Sequence, residues 1–271
     1  MLYQQEGLPR CLIESDEYIM NILSIGNSFS QDSHKWLKQI AAAYGDEVTL
    51  VNLMIGGCTL QKHWENYVSD AAEYSLQVNG EPIKTVAIKE TLQSQRWDVI
   101  TLQQASHVSG DYSSYQPYIK NLYNEVKALC PDAKIYIHQT WAYEKDAALS
   151  AFENYDRDQQ IMYNALTNAY LCAAKDIGCE NIIPSGKVIQ YLRDNTAEFD
   201  YSNGGLSLNR DGFHLSLIYG RYAAALTWYA TIGIFGNFST PRAMMSRYGM
   251  AGFTIVQSAP SATSASISPI P

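Results

Sequence analysis

No apolar stretch in this 271-residue chain approaches the roughly 20 residues that a membrane-spanning helix needs. Basic residues are scarce as well. Nineteen Lys and Arg stand against 27 Asp and Glu, and the net charge is −8. They form no cluster, which argues against nucleic acid or an anionic membrane surface as a partner. The five cysteines (Cys11, Cys58, Cys130, Cys172 and Cys179) show neither CxxC nor Cys/His ligand spacing. Buried free thiols in a reducing compartment are therefore expected. Phosphate-loop, dinucleotide, EF-hand and zinc motifs are missing too, so the sequence implies no cofactor and no metal. The first residues lack a basic region followed by an apolar core, being interrupted by Glu6, Arg10, Glu14, Asp16 and Glu17. The expectation is a cytoplasmic protein without a secretory signal.

What is present is the composition of a globular domain, 46% hydrophobic and 17% charged, and long enough to bury a sizeable core. Strand signals at 19–25, 47–54, 97–103, 134–138 and 180–183 alternate with helical periodicity at 33–44, 115–129, 153–177 and 215–232. That alternation predicts an α/β domain with a mainly parallel, five-stranded sheet. Residues 74–95 break it. There, two short strand-like runs flank Asn79-Gly80 and read as a hairpin on a type I′ turn, either an insertion beside a site or a surface decoration. Residues 195–210 read as a loop. The predicted organisation is an arm over 1–19, a domain over 20–240 and an extension over 241–271. The last of these ends in a Ser-, Ala-, Pro- and Thr-rich tail expected to be poorly ordered.

Two motifs carry chemistry. Tyr18 to Ile25 is an apolar run that ends in Gly26-Asn27-Ser28, which puts a serine at the carboxyl end of a buried strand. In open parallel sheets that is where ligands bind, and the N–H groups opening the next helix favour developing negative charge there. Much later, Asp211-Gly212-Phe213-His214 sets a carboxylate and an imidazole three residues apart, before the last helix. Serine, histidine and aspartate are the parts that acyl transfer through a covalent serine intermediate needs. Ser30 is a rival nucleophile but suits a helix-capping role better, together with Asp32 or Ser33. His34 follows these too closely to converge with them and is expected at the surface. His63, His107 and His138 fit either a pocket wall or a structural role.

Ile25-Gly26-Asn27-Ser28-Phe29-Ser30, Leu102-Gln103-Gln104-Ala105-Ser106 and Arg210-Asp211-Gly212-Phe213-His214-Leu215-Ser216, in this order, resemble the SGNH (GDSL-type) hydrolase superfamily. More closely, they resemble a bacterial branch of it classed as a domain of unknown function. The likeness spans about residues 20 to 236. It implies a three-layer α/β/α, flavodoxin-like fold, with Ser28 as nucleophile, His214 as base and Asp211 orienting it. It also implies an oxyanion hole made of the Ser28 N–H, the N–H of a glycine after the second strand, and an asparagine after the third. Gly57 matches the glycine. The asparagine has no counterpart, and Gln104 or Gln103 is the expected substitute.

The chain has twenty tyrosines and five tryptophans. Asn27, His63, Trp64, Trp141 and Tyr143 are expected to line the pocket, where aromatic faces could stack on a sugar. The reading is a serine esterase that removes small acyl groups, acetyl above all, from a small-molecule or carbohydrate ester. The alternative is a weakly active or inactive carbohydrate-binding protein on the same fold, which the missing asparagine motivates.

Overall fold

The computed structural model describes residues 18–233; the predicted arm, apart from its last two residues, and the predicted C-terminal extension lie outside them. The first strand, β1 (Ile19–Gly26), is followed by α1 (Ser28–His34), α2 (Leu37–Ala43), β2 (Glu47–Met54), α3 (Leu60–Ser69), β3 (Tyr74–Val78), β4 (Glu81–Val86) and α4 (Ile88–Leu92). Then come β5 (Val99–Leu102), α5 (Tyr118–Leu129), β6 (Lys134–His138), α6 (Gln159–Asp176), β7 (Ile182–Ile183), α7 (Ser185–Asn195) and α8 (Tyr219–Ile232). The strands form one sheet in the order β4-β3-β2-β1-β5-β6-β7. β2, β1, β5, β6 and β7 pair in parallel, the five strands expected.

Two further strands belong to the same sheet. The hairpin of β3 and β4 does form, and Asn79 and Gly80 both have the positive φ (51° and 91°) that a type I′ turn requires. It is more than a surface decoration. β3 pairs antiparallel with β2 from Val51↔Val78 to Met54↔Ser75 and so extends the sheet. β1 is its centre, flanked on both sides, and Ile22, Leu23 and Ile25 are fully buried, as expected of a strand covered on both faces. The helices fall into two packing groups. α1, α2 and α7 gather on α8, whereas α3 packs against α4 and α5, giving the three-layer α/β/α arrangement. Among the described residues, no helix is long and apolar enough to cross a membrane.

The apolar pattern misses α3 and α4, which are short, and two helices whose buried faces are largely polar. α7 buries Ser185, Gly186, Gln190 and Arg193 beside Ile189, and α1 buries Ser30, Asp32, Ser33 and His34 beside Phe29. The helix expected over 33–44 is in fact two, the first beginning at Ser28. That earlier start turns His34 inward, where it is buried and bonds to the Ser24 hydroxyl at 2.9 Å, correcting the surface placement. Of the cysteines, Cys11 lies outside the described residues; Cys58, Cys130 and Cys179 are buried free thiols, but Cys172 is exposed.

His34, His63 and His138 are all buried. Loss of solvation depresses their pKa values to about 4, 3 and 3 respectively. Each is neutral in the folded protein and binds a proton on unfolding below about pH 6.5. Unfolding therefore takes up protons between about pH 4 and 6.5, and stability falls with acidification at up to about 1.4 kcal/mol per pH unit for each ring. Thermal denaturation followed from pH 7.5 to 5 should show Tm steady at first, then falling below pH 6.5. A Tm independent of pH across this range would contradict the burial of these rings as neutral groups.

Candidate active site

The site is assembled at the carboxyl edge of the sheet. β1 stops at Gly26, where a Cβ would collide with the Ser30 hydroxyl. Asn27 then caps α1: its side chain accepts the Phe29 N–H at 2.9 Å, while Ser30 Oγ accepts the Asn27 N–H at 3.1 Å. This reciprocal cap fixes the turn that presents Ser28, first residue of the helix, at the strand end. Ser30 is fully buried, and its hydroxyl also lies 2.8 Å from Asn52 Oδ1, so it faces away from the cleft.

The loop before α8 is built to hold an imidazole. Asn209 and Leu215 bridge its base, and Asp211 Oδ1 accepts the backbone N–H groups of Phe213 (3.2 Å) and His214 (2.7 Å). Gly212 has φ +86°, and a Cβ there would come within 2.7 Å of Ala147 Cα; only glycine fits that approach. Its carbonyl accepts the Glu144 N–H at 2.6 Å, and the Trp141 indole N–H donates to the Phe213 carbonyl at 2.7 Å.

On the other side stands Asp32, fully buried in α1. It accepts the Leu215 N–H at 2.8 Å, Arg210 Nη1 at 3.1 Å and Arg221 Nε at 2.8 Å. The helix that begins with Ser28 is thus tied directly to the loop that ends in His214.

The result is a continuous hydrogen-bonded line. Ser28 Oγ lies 2.9 Å from His214 Nε2, and His214 Nδ1 lies 2.7 Å from Asp211 Oδ2. Burial works to raise the Asp211 carboxyl, but the bonds it accepts from the His214 ring and from two backbone N–H groups outweigh this and hold its pKa below the usual value. Nδ1 then carries the proton and Nε2 presents a lone pair to the serine. Phe213 and Phe29 flank the imidazole, with ring centroids 3.9 and 5.9 Å away.

A cleft of about 360 Å³ opens over Ser28 and His214. Of the residues expected to line it, Asn27 and Tyr143 do so, and so does Gly57, the glycine expected in the oxyanion hole. Gly57 has φ +61° with open space where a Cβ would stand. Among the described residues, neither its N–H nor that of Ser28 has an acceptor.

The other expected residues lie elsewhere. Trp141 is fully buried, stacked on Phe29 at 4.4 Å, and Trp64 stacks on Tyr67 at 5.6 Å. His63 is buried against the Tyr74 hydroxyl at 2.9 Å. Gln104 is fully buried with its amide engaged at both ends: Oε1 accepts the Leu60 and Ala105 N–H groups, and Nε2 donates to the Ser114 carbonyl and hydroxyl. Gln103 is also buried and bonds to Asn27 and His138. Neither glutamine lines the cleft. Met54, Ser106, His107, Leu149 and Phe213 do. Of these only His107, which the sequence sets beside Ser106, was a candidate. No group of three or more His, Cys, Asp or Glu side chains among the described residues is arranged to hold a metal ion.

This fold and site have counterparts. A family described as a domain of unknown function, DUF4886, matches residues 21–242. The crystal structure of a DUF4886 family protein from Bacteroides uniformis is 35% identical, with 83% of this chain and 88% of that one aligned at a TM-score of 0.73. A candidate SGNH hydrolase from Slackia heliotrinireducens (21% identity, TM-score 0.53) aligns over 80% of this chain and its whole length. The acetyl xylan esterase AlAXEase (16% identity, TM-score 0.52) aligns over 78% of this chain and 99% of its own. No functionally curated protein matches the sequence. These last two structures share the fold, whereas the family match and the B. uniformis relative settle kinship: the chain belongs to the DUF4886 family and has the α/β/α fold of the SGNH hydrolases.

Proposed function

We propose that the protein is a serine esterase acting on small acyl esters. The observation that carries this reading is the unbroken line from Ser28 Oγ through His214 to Asp211, at 2.9 and 2.7 Å, opening on a cleft. His214 Nε2 takes the Ser28 proton as Oγ attacks the ester carbonyl, and Asp211 stabilises the imidazolium that forms. The imidazolium then protonates the leaving alcohol. Water, deprotonated by the same ring, releases the acid from the acyl-serine. The developing oxyanion is held by the free N–H groups of Ser28 and Gly57, since the amides of Gln103 and Gln104 are engaged elsewhere.

The cleft volume, about 360 Å³, is at the low end of small-molecule sites, which span about 300–1,000 Å³. Shared between acyl and alcohol, it favours a short acyl group such as acetyl lying against Met54, Leu149 and Phe213. A carbohydrate as the alcohol draws support from the acetyl xylan esterase that shares the fold. The tryptophans that suggested sugar stacking give it none. The assembled serine–histidine line favours catalysis over a binding module.

Hydrolysis of p-nitrophenyl esters from acetate to octanoate should be fastest at the short end. Ser28→Ala should lower kcat by about 10⁴–10⁶ without changing Tm appreciably. A variant retaining more than about a tenth of parental turnover would contradict the assignment, being only about 1.4 kcal/mol of barrier.

Asp32→Ala tests the tie between nucleophile and base. It strands the Arg210 and Arg221 charges and frees the His214 loop, so it should lower stability by on the order of 3–5 kcal/mol and activity with it. Unchanged melting and unchanged turnover would show that the clamp holds nothing in place.

A further inference from the structure

Five side-chain and backbone groups lie in single file along the carboxyl edge of the parallel strands, one at the end of each, in sheet order. Ser185 follows β7, His138 ends β6, Gln103 follows β5, Asn27 follows β1, and Cys58 lies beyond β2. The contacts between them are 3.1 Å (Ser185 Oγ to His138 Nε2), 2.8 Å (His138 Nδ1 to Gln103 Oε1), 2.7 Å (Gln103 Nε2 to Asn27 Oδ1) and 3.2 Å (Asn27 Nδ2 to the Cys58 carbonyl). All four side chains are at least nine-tenths buried.

Donor and acceptor roles leave one consistent assignment. The Phe29 N–H needs Asn27 Oδ1 as its acceptor, which puts the Gln103 NH₂ on Asn27 and Gln103 Oε1 on His138 Nδ1. The neutral ring therefore carries its proton on Nδ1. Since the Ser33 hydroxyl, 3.4 Å from Nε2, donates to the Phe29 carbonyl at 3.1 Å, Ser185 donates to Nε2. Asn27 Nδ2 is left facing Cys58. Every dipole points the same way, an order that strengthens each bond in a medium of low dielectric. Burial keeps His138 neutral, with its pKa near 3, so the order persists through the physiological range.

Asn27 is the junction. One end of its amide fixes the turn that carries Ser28, and the other holds the carbonyl of Cys58, the residue after Gly57. Those two residues supply the N–H groups read above as the oxyanion hole. Were the Asn27 amide reversed, its Oδ1 would oppose the Cys58 carbonyl and the Phe29 N–H would lose its acceptor.

We propose that Gln103 is a positioning residue for ester hydrolysis: by fixing which way the Asn27 amide faces, it sets the Ser28 and Gly57 N–H groups in register with each other. The proposal rests on the esterase reading. Gln103 does not line the cleft and touches no substrate, so its effect falls on the transition state rather than on binding.

The test compares parent, Gln103→Leu and Gln103→Glu as full chains, with kcat and KM for p-nitrophenyl acetate expressed per active site titrated by a fluorophosphonate. Gln103→Leu removes both bonds. Gln103→Glu keeps the acceptor for His138 but, once its carboxyl is ionised, cannot donate to Asn27. Followed up to about pH 9, where even a buried carboxyl ionises, this variant of the same shape decides the matter if the leucine variant does not fold. Both should lower kcat per titrated site by about 10–100-fold, since a misplacement of order 1 Å can cost about 10²-fold. KM should stay within about twofold. A lower Tm with parental kcat per site would overturn the positioning role and leave Gln103 merely structural. A parent that the fluorophosphonate does not label would overturn the esterase reading itself, a separate result.

Discussion

A single carboxylate holds the two halves of this site together. Asp32 is wholly buried, and a lone ionised group there would be costly. It is tolerated because two guanidinium groups and a backbone N–H converge on it, from Arg210, Arg221 and Leu215. Those partners come from the far end of the chain. Arg210 and Leu215 bracket the Asp211–His214 segment, and Arg221 lies on α8. Satisfying Asp32 therefore obliges the C-terminal loop to close over the helix that begins with Ser28. A buried ion pair is weak evidence for stability as such. Its use here is specificity, in that residues some 180 positions apart meet in one register.

The same trade runs through the rest of the carboxyl edge. The strands themselves are filled mainly by Ile22, Leu23, Val51, Leu53, Ile100, Leu102, Ile135 and Ile137, with Ser24, Asn52 and Thr101 the buried polar exceptions. Beyond their ends the interior turns polar, with Asn27, Gln103, Gln104, His138 and Ser185 all buried and bonded to one another or to nearby backbone. Such networks are costly when half satisfied and rigid when complete. Rigidity is what an acyl-transfer site needs, because fixed N–H donors stabilise a developing oxyanion without reorganising. The residues that make this edge expensive are those that make it chemically useful.

This division explains what could be read from the sequence. Apolar strands and amphipathic helices announce themselves by period, so β1, β2, β5 and β6 and helices such as α5 were legible within a few residues. The Ser28 and Asp211/His214 motifs were legible because small, distinctive residues sit at strand and loop boundaries. Helices α1 and α7 were not, since their buried faces carry serine, aspartate, glutamine and arginine and carry no apolar stripe. Asp32 looked like a helix cap because nothing local reveals that its partners are Arg210 and Arg221. Gln103 and Gln104 were read as cleft donors from their place after the third parallel strand. Which way each amide faces depends on Ser114, Leu60, Asn27 and His138, partners that a one-dimensional pattern does not connect. Trp141 and Trp64 went the same way, since aromatic size draws a side chain into the core as readily as into a pocket.

The central claim is that Ser28 is a nucleophile made reactive by His214. Treating the protein with a fluorophosphonate and mapping the adduct by peptide mass spectrometry tests it most directly. One adduct per chain, on Ser28 and absent when His214 is replaced by alanine, is the result this account predicts. No adduct, an adduct on Ser30 or another serine, or labelling of Ser28 that proceeds unchanged without His214 would contradict it.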